Sequence, residues 1–448
     1  MRRAVAPLLA VTVALVLADS AVVTLALPAI LRHLNTSVGQ VSWVLIAFNL
    51  VLGLAAVPTA VCFARGKPQI MCAAGIAVFA AASTWCALAG SIDHLVAARC
   101  LQALGGALAL IGCLELLVAE YGERRGVATW VTAGVVGTAT GPVAGGLLTQ
   151  AFSWQAIFVV QIPFAVLAVP AALAVRAAPA LPPSARDRPA LRSNLTLALL
   201  SAALTAALFL VVLLLVEGWR RSPATAALTV SVVPVAALAA RPLARLLRPP
   251  DPVEVAVGCF LVSGGLVGLA ILPSANLGWT VAPQALVGLG LGLTVDRLTS
   301  QAVQKRLPRV RHAGWTIGAR HVGVVLGLAL LTPIFTADLR DAQTPAQEAI
   351  TSLVLDAPLL PEDKIAVAHA LGDELSGQQG RIPDLHHAFA TLDIGPGERP
   401  AAVHLERDLV AQLERAATRA FRDSFLAGAA LALLAMLTVL LPRRQPST

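Results

Sequence analysis

The stretch "ALVLADSAVVTLALPAI", residues 14–30, sets one carboxylate, Asp19, inside an otherwise apolar run. The run begins near Val5 and ends near Ile30. A secretory leader carries an apolar region of only about 7–15 residues, whereas a helix needs roughly 20 to cross a bilayer. Despite the basic start at Arg2 and Arg3, the segment therefore reads as a retained membrane helix. The rest of the chain has the same character. Of 448 residues, 57% are hydrophobic and 13% charged, and the mean hydropathy is +0.78. Soluble domains average about 45–50% apolar and about 25% charged. So few polar groups cannot cover a water-facing surface, and the solvent must be lipid.

Apolar runs of spanning length fall at about 5–30, 41–63, 69–90, 94–119, 126–149 and 155–175. Six more fall at about 194–216, 224–240, 253–273, 277–298, 312–337 and 421–441. The fold expected is an all-α membrane protein with twelve transmembrane helices in two six-helix bundles. Short cytoplasmic loops are enriched in Lys and Arg. With both termini inside, nineteen such residues lie in inner segments, against Arg32, Arg220 and Arg221 in short outer loops. The expected location is a cell (plasma or inner) membrane with both termini cytoplasmic.

The net charge of +8 conceals an asymmetry, because residues 338–423 hold fifteen acids and eight bases. The basic excess lies in inner loops, where it faces an anionic leaflet, so no nucleic-acid partner is implied. The six cysteines, at 62, 72, 86, 100, 113 and 259, lie in or at the ends of apolar runs without metal-ligand spacing. They read as small buried hydrophobes; no metal site is expected.

Residues 1–176 form the expected N-terminal bundle, and the Pro- and Arg-rich 177–193 form a cytoplasmic linker. Residues 194–337 hold spans 7–11, 338–420 an extracytoplasmic helical insertion, and 421–448 span 12 and the tail. Within the insertion, apolar spacing of 3–4 residues predicts amphipathic helices, punctuated by Pro345, Pro361, Pro383 and Pro396. The last piece runs into span 12 without a breaker. The insertion serves either as a structural cap or as a docking element for an extracytoplasmic partner.

A carboxylate at mid-membrane costs about 2.5–3.5 kcal/mol on insertion scales, so it usually faces a cavity or a partner. Asp19 is either locked to a cation or exchanges protons during a cycle. At about 1.5 Å rise per residue, Asp19 lies roughly 21 Å from the start of span 1 and Arg99 roughly 8 Å below the outer end of span 4. Both fall at similar height in a core about 30 Å thick, which permits pairing between spans 1 and 4. Gln102, one turn beyond Arg99, joins that cluster or contacts substrate. In "GVVGTATGPVAGG" (134–146), Gly137, Gly141 and Gly145 recur every four residues beside Pro142 and Gly146. Small residues so spaced let helices approach closely, and an internal proline bends its helix.

Asp296 at the inner end of span 10 and Arg320 in span 11 read as inner-gate salt-bridge residues. His321 either packs in the core or titrates near neutral pH. Glu115 and Glu120 read as a solvated edge of span 4. No phosphate-binding loop, hydrolase elbow, zinc spacing or dinucleotide fingerprint stands in a suitable context. An enzyme is therefore not expected, and without an ATPase any energy must come from an ion gradient. No cofactor is implied.

These residues resemble a known family. "LADSAVVTLALPAI" followed by "SVGQVSWVLIAFNL" is similar to the opening of drug:proton antiporters of the major facilitator superfamily, in the branch that usually has fourteen helices. Matching positions are Asp19, Ala26-Leu27-Pro28, Ser37 and Trp43-Val44. Arg99, Gln102, Gly105 and Ala107 match the family's helix 4 motif, with Ala103 replacing a glycine. "GPVAGG" (141–146) matches its antiporter motif, and Arg320 stands in a segment, 313–327, resembling its next-to-last helix. The usual extra helix pair is absent. The inner loop after span 2, "TAVCFARGKPQ", retains Arg65, Gly66 and Lys67 but lacks the family's acid. The resemblance implies proton-coupled export of hydrophobic small molecules by a monomer, with Asp19 carrying the proton, Arg99 tuning it, and Arg65 and Lys67 in gating. Two other readings are an exporter of a lipid or native metabolite that uses 338–420 with a partner, and a non-transporting sensor or scaffold on the same fold.

Overall fold

A computed structural model describes residues 2–63, 66–177, 189–247, 250–304, 306–376, 385–390, 395 and 397–440. The described residues form helices joined by short turns. The first half comprises α1 (Arg2–His33), α2 (Val38–Phe63), α3 (Pro68–Ala87), α4 (Ile92–Tyr121), α5 (Glu123–Ala151) and α6 (Ala156–Ala174). The second comprises α7 (Leu191–Gly218), α8 (Pro223–Ala244), α9 (Asp251–Ala270), α10 (Leu277–Val303) and α11 (Arg309–Asp356). Then come α12 (Pro361–Ser376), α13 (Leu385–Ala390), α14 (Arg399–Ala420) and α15 (Arg422–Leu440). Eleven described helices are long and apolar enough to cross a bilayer. The bent α5, turning by 41° between Glu123–Thr138 and Thr140–Ala151, brings the number to twelve. The bend precedes Pro142 by one turn or less, the position from which a proline kinks a helix.

Helix starts follow from local chemistry. Ser91 caps α4 by accepting a hydrogen bond from the His94 amide, and Ser222 caps α8 through the Thr225 amide with Pro223 at the first helical position. Within the first half α1 packs on α5 and α6, and α4 on α2 and α3; within the second α9 packs on α10 and α15, and α7 on α11 and α15. The halves meet along two seams, α2 with α11 and α5 with α8. Both use small residues. A Cβ on Gly314 would lie 2.8 Å from the Ala56 carbonyl oxygen, and one on Gly146 would lie 2.9 Å from the Pro223 carbonyl oxygen.

Two apolar clusters join the halves. One unites Val22, Leu45 and Phe158 with Leu200, Phe209 and Phe425, and the other unites Leu9, Phe48 and Leu114 with Val303, Val310 and Ile317. By the order of crossings, the second lies toward the face carrying the linker, and the first toward the opposite, distal face.

The helix of span 11 does not stop at residue 337: its apolar, spanning part ends near Asp341, and α11 continues unbroken to Asp356 through the position of Pro345. At about 1.5 Å per residue its 48 residues extend roughly 70 Å, more than twice a bilayer core. The extension holds because it gains a core of its own: Ile350 and Val354 pack with Val367, Leu371, Leu405 and Leu409 from α12 and α14. α14 leads into α15 with only Phe421 between them. Arg65, most of the linker (178–188) and the tail beyond Leu440 lie outside the described residues.

Candidate functional site

Asp19 and Arg99 are both completely buried, and Arg99 Nη1 donates to Asp19 Oδ2 between α1 and α4. The carboxylate's other oxygen, Oδ1, accepts from Gln161 Nε2 of α6 at 2.8 Å and from Gln102 Nε2 at 3.3 Å. Gln102 Nε2 also donates to Ser83 Oγ of α3, and Gln102 Oε1 accepts from Arg99 Nη1 at 2.6 Å. Arg99 Nε donates to the Val44 carbonyl, and the guanidinium lies 4.0 Å from the Phe48 ring centre. Five helices thus converge on one ion pair. A charge pair in so dry a setting is held by further hydrogen bonds to its remaining donors and acceptors; the two glutamines and the Val44 carbonyl serve most of them, while Arg99 Nη2 has no hydrogen-bond partner among the described residues. Gln161 is the participant that sequence reasoning did not single out. A lone amide within the apolar stretch "AIFVVQIPF" was the available signal.

α5 lies against α1 as the glycine spacing required. A Cβ on Gly137 or Gly145 would collide with the backbone carbonyls of Ala14 or Val22, and one on Gly141 would sit 2.9 Å from the Ala18 carbonyl oxygen. Gly146 faces the other way, against Ala227 of α8. The motif therefore serves both a seam within the first bundle and a seam between bundles.

Among the described residues, three cavities lie between the halves. Their walls come mainly from α1, α5, α7, α8, α10 and α11. α7 contains two π-helical turns, Ala206–Leu210, which meets the cavities through Leu208 and Phe209, and Leu214–Gly218 beyond them. Such turns commonly mark functional positions, and the unbroken apolar run of span 7 gave no hint of them. Arg320 borders all three cavities, and His321 borders two. His321 Nδ1 lies 2.7 Å from Asn49 Oδ1, while Asn49 Nδ2 donates to the Leu45 carbonyl.

The gate residues differ from those expected. Asp296 pairs with Arg241 at 3.3 Å, inside the second bundle. Arg320 donates to Thr138 Oγ1 at 3.3 Å and has no carboxylate partner among the described residues. Both stand on the central cavity rather than forming an inter-bundle bridge at the linker face. Lys67 is exposed at the start of α3 and enters no ion pair among the described residues. The bridge at that face is made by Arg309 of α11, 3.5 Å from Glu115 of α4 and 3.5 Å from Glu123 of α5. Glu115, read from sequence as a solvated edge, is largely buried, because α11 covers it. At the distal face Arg32 of α1 pairs with Glu217 of α7 at 2.9 Å.

Two bundles of membrane helices around shared central cavities, closed by charge pairs between bundles at each end, define a membrane transporter. The chain belongs to the Major Facilitator Superfamily, whose family model matches residues 9–332. Over 339 residues it is 33% identical to the puromycin resistance protein of Streptomyces alboniger, covering 71% of this chain and 65% of that one. It is 34% identical over 169 residues to the tetracenomycin C resistance and export protein of Streptomyces glaucescens, covering 37% of this chain. The chain spans about a third of that relative's length, 31%. An inward-facing, unoccupied structure of a bacterial homologue of the human lysosomal transporter Spinster covers 100% of this chain and 99% of its own, with TM-score 0.64 and 16% identity. That likeness is one of fold.

Proposed function

We propose that the chain exports hydrophobic small molecules in exchange for protons, the two bundles rocking about the central cavities so that each face opens in turn. The supporting observation is the wholly buried Asp19, held by Arg99, Gln102 and Gln161 one helical position from Ser20, which lines the cavity. A carboxylate there has a built set of donors for its charged form, and Ser20 Oγ links the neighbouring backbone to Asn49 and so to His321. Asp19 is the proton carrier in this reading, and Arg99 holds it charged until a proton arrives. The relatives named for drug resistance and export support the direction and substrate class. The excess of Lys and Arg in alternate loops supports cytoplasmic termini. No cofactor enters; the gradient drives the cycle, and a monomer suffices because the cavities lie within one chain.

Proteoliposomes holding the purified protein test the reading with two permanently charged dyes, the cation ethidium and the anion pyrenesulfonate, whose own distribution a pH gradient does not alter. Uphill accumulation of either, lost when a protonophore collapses the gradient, is expected. Movement of both dyes that ignores the protonophore would contradict proton coupling.

A further inference from the structure

The charge of the central cavities has a definite sign. Among the described side chains that line one or more of these three cavities, the ionisable ones are Arg320, His321, Arg241 and Asp296. Arg241 and Asp296 pair with each other, which leaves Arg320 as the net charge. Arg320 spends one hydrogen bond on Thr138, whose own hydroxyl hydrogen goes to the Gly134 carbonyl. A guanidinium has five donors in a planar fork suited to two acceptor oxygens, so most of its recognition capacity faces the cavities. The remaining walls are largely apolar, from residues such as Leu17, Leu204, Leu208, Val295 and Val324.

His321, the next residue, is engaged with Asn49. Because Asn49 Nδ2 donates to the Leu45 carbonyl, Asn49 Oδ1 is the acceptor and His321 Nδ1 the donor. His321 Nε2 is buried and has no hydrogen-bond partner among the described residues. That atom has no surface open to the cavities, so it is not available to a ligand there. Resting on the exporter reading, we propose that the central cavity selects amphipathic organic anions: a carboxylate or sulfonate seated on Arg320 and an apolar skeleton against α7 and α10. A cationic amphiphile would instead meet an uncompensated guanidinium.

Three probes on one skeleton test this in detergent solution at pH 8: pyrenebutyrate, neutral pyrenebutanol and cationic pyrenebutyl-trimethylammonium, with protein-free micelles as baseline. The anion is expected to bind at least about tenfold tighter than the other two, the discrimination of one charge-assisted bidentate contact. Arg320→Gln should remove that preference by weakening pyrenebutyrate far more than pyrenebutanol, and Arg320→Lys, which keeps the charge, should restore much of it. A thermal melt of each variant confirms folding. Equal binding of the three probes, preference for the ammonium, binding of none, or an anion preference that survives Arg320→Gln in a folded protein would each overturn the proposal. Transport separates this from the broader reading. Export of ethidium alone overturns the anion assignment and leaves the exporter standing, whereas tight anion binding with no flux of any dye overturns the exporter.

Discussion

His321 and Asn49, on α11 and α2, share a hydrogen bond of 2.7 Å across the seam between the two bundles, at the cavity wall. Any rocking of one bundle against the other stretches this bond. A typical net hydrogen bond contributes about 1 kcal/mol, roughly a fivefold change in an equilibrium. Asn49→Ala also leaves the buried His321 Nδ1 without its acceptor, a loss of about 1–3 kcal/mol, and is therefore expected to lower the melting temperature and to change transport rate by about fivefold or more, as measured by a thermal melt and dye flux.

The pair Asp19–Arg99 should behave as a unit. Removing one partner of a buried pair leaves an uncompensated charge and costs about 3–5 kcal/mol, whereas replacing both with neutral groups of similar shape is far less damaging. Arg99→Ala is expected to lower the melting temperature in detergent much more than the double variant Asp19→Asn/Arg99→Gln. Equal losses would show that Arg99 stabilises by packing on Phe48 rather than by charge.

The close approach of α5 to α1 predicts an order of severity. Gly137→Ala drives a methyl into the Ala14 backbone carbonyl, which can yield only by separating the helices, while Gly141→Ala meets Ala18 at 2.9 Å. Overpacking of this kind typically costs about 1–3 kcal/mol. Gly39→Ala, whose Cβ would meet only Ser37 Oγ at 3.9 Å, is the control. Melting temperatures should rank Gly39→Ala near the parent, Gly141→Ala lower and Gly137→Ala lowest.

At the linker face, Arg309 holds Glu115 and Glu123 from the opposite bundle. Charge reversal by Arg309→Glu should open that face, and adding Glu115→Arg should close it again in part. A cysteine introduced at Thr316, on the smallest cavity, reports the change through a membrane-impermeant maleimide, with exposed Cys62 and half-exposed Cys100 replaced by serine. A pair contributing about 0.5–1 kcal/mol shifts labelling by about two- to fivefold. Unchanged labelling would remove the pair from gating.

The spans and the family were legible because a bilayer imposes length and apolarity on each segment, and because Asp19, Arg99 and the α5 glycines stand out against an apolar background. The depth estimate for Asp19 and Arg99 needed only helical rise. Gln161 and Asn49 were harder to single out, since a lone amide in an apolar run carries no sign of which helix it faces. Glu115 was misread because its partner, Arg309, stands 194 residues away and no local pattern links them. The unbroken course of α11 past residue 337 was hidden by Pro345. A proline weakens a helix locally, yet the distal core formed by Ile350, Val354 and Leu409 holds it together.

The central claim, that the proton on Asp19 moves with each cycle, is tested most directly by comparing two modes of transport in one variant. Asp19→Asn keeps the shape of the side chain and cannot exchange a proton at neutral pH. In proteoliposomes, dye-for-dye exchange across the membrane needs no net proton movement, whereas accumulation driven by an imposed pH gradient does. The account predicts that Asp19→Asn, in protein that a thermal melt shows to be folded, retains exchange and loses gradient-driven accumulation. Accumulation that persists in Asp19→Asn at the parental level would contradict it.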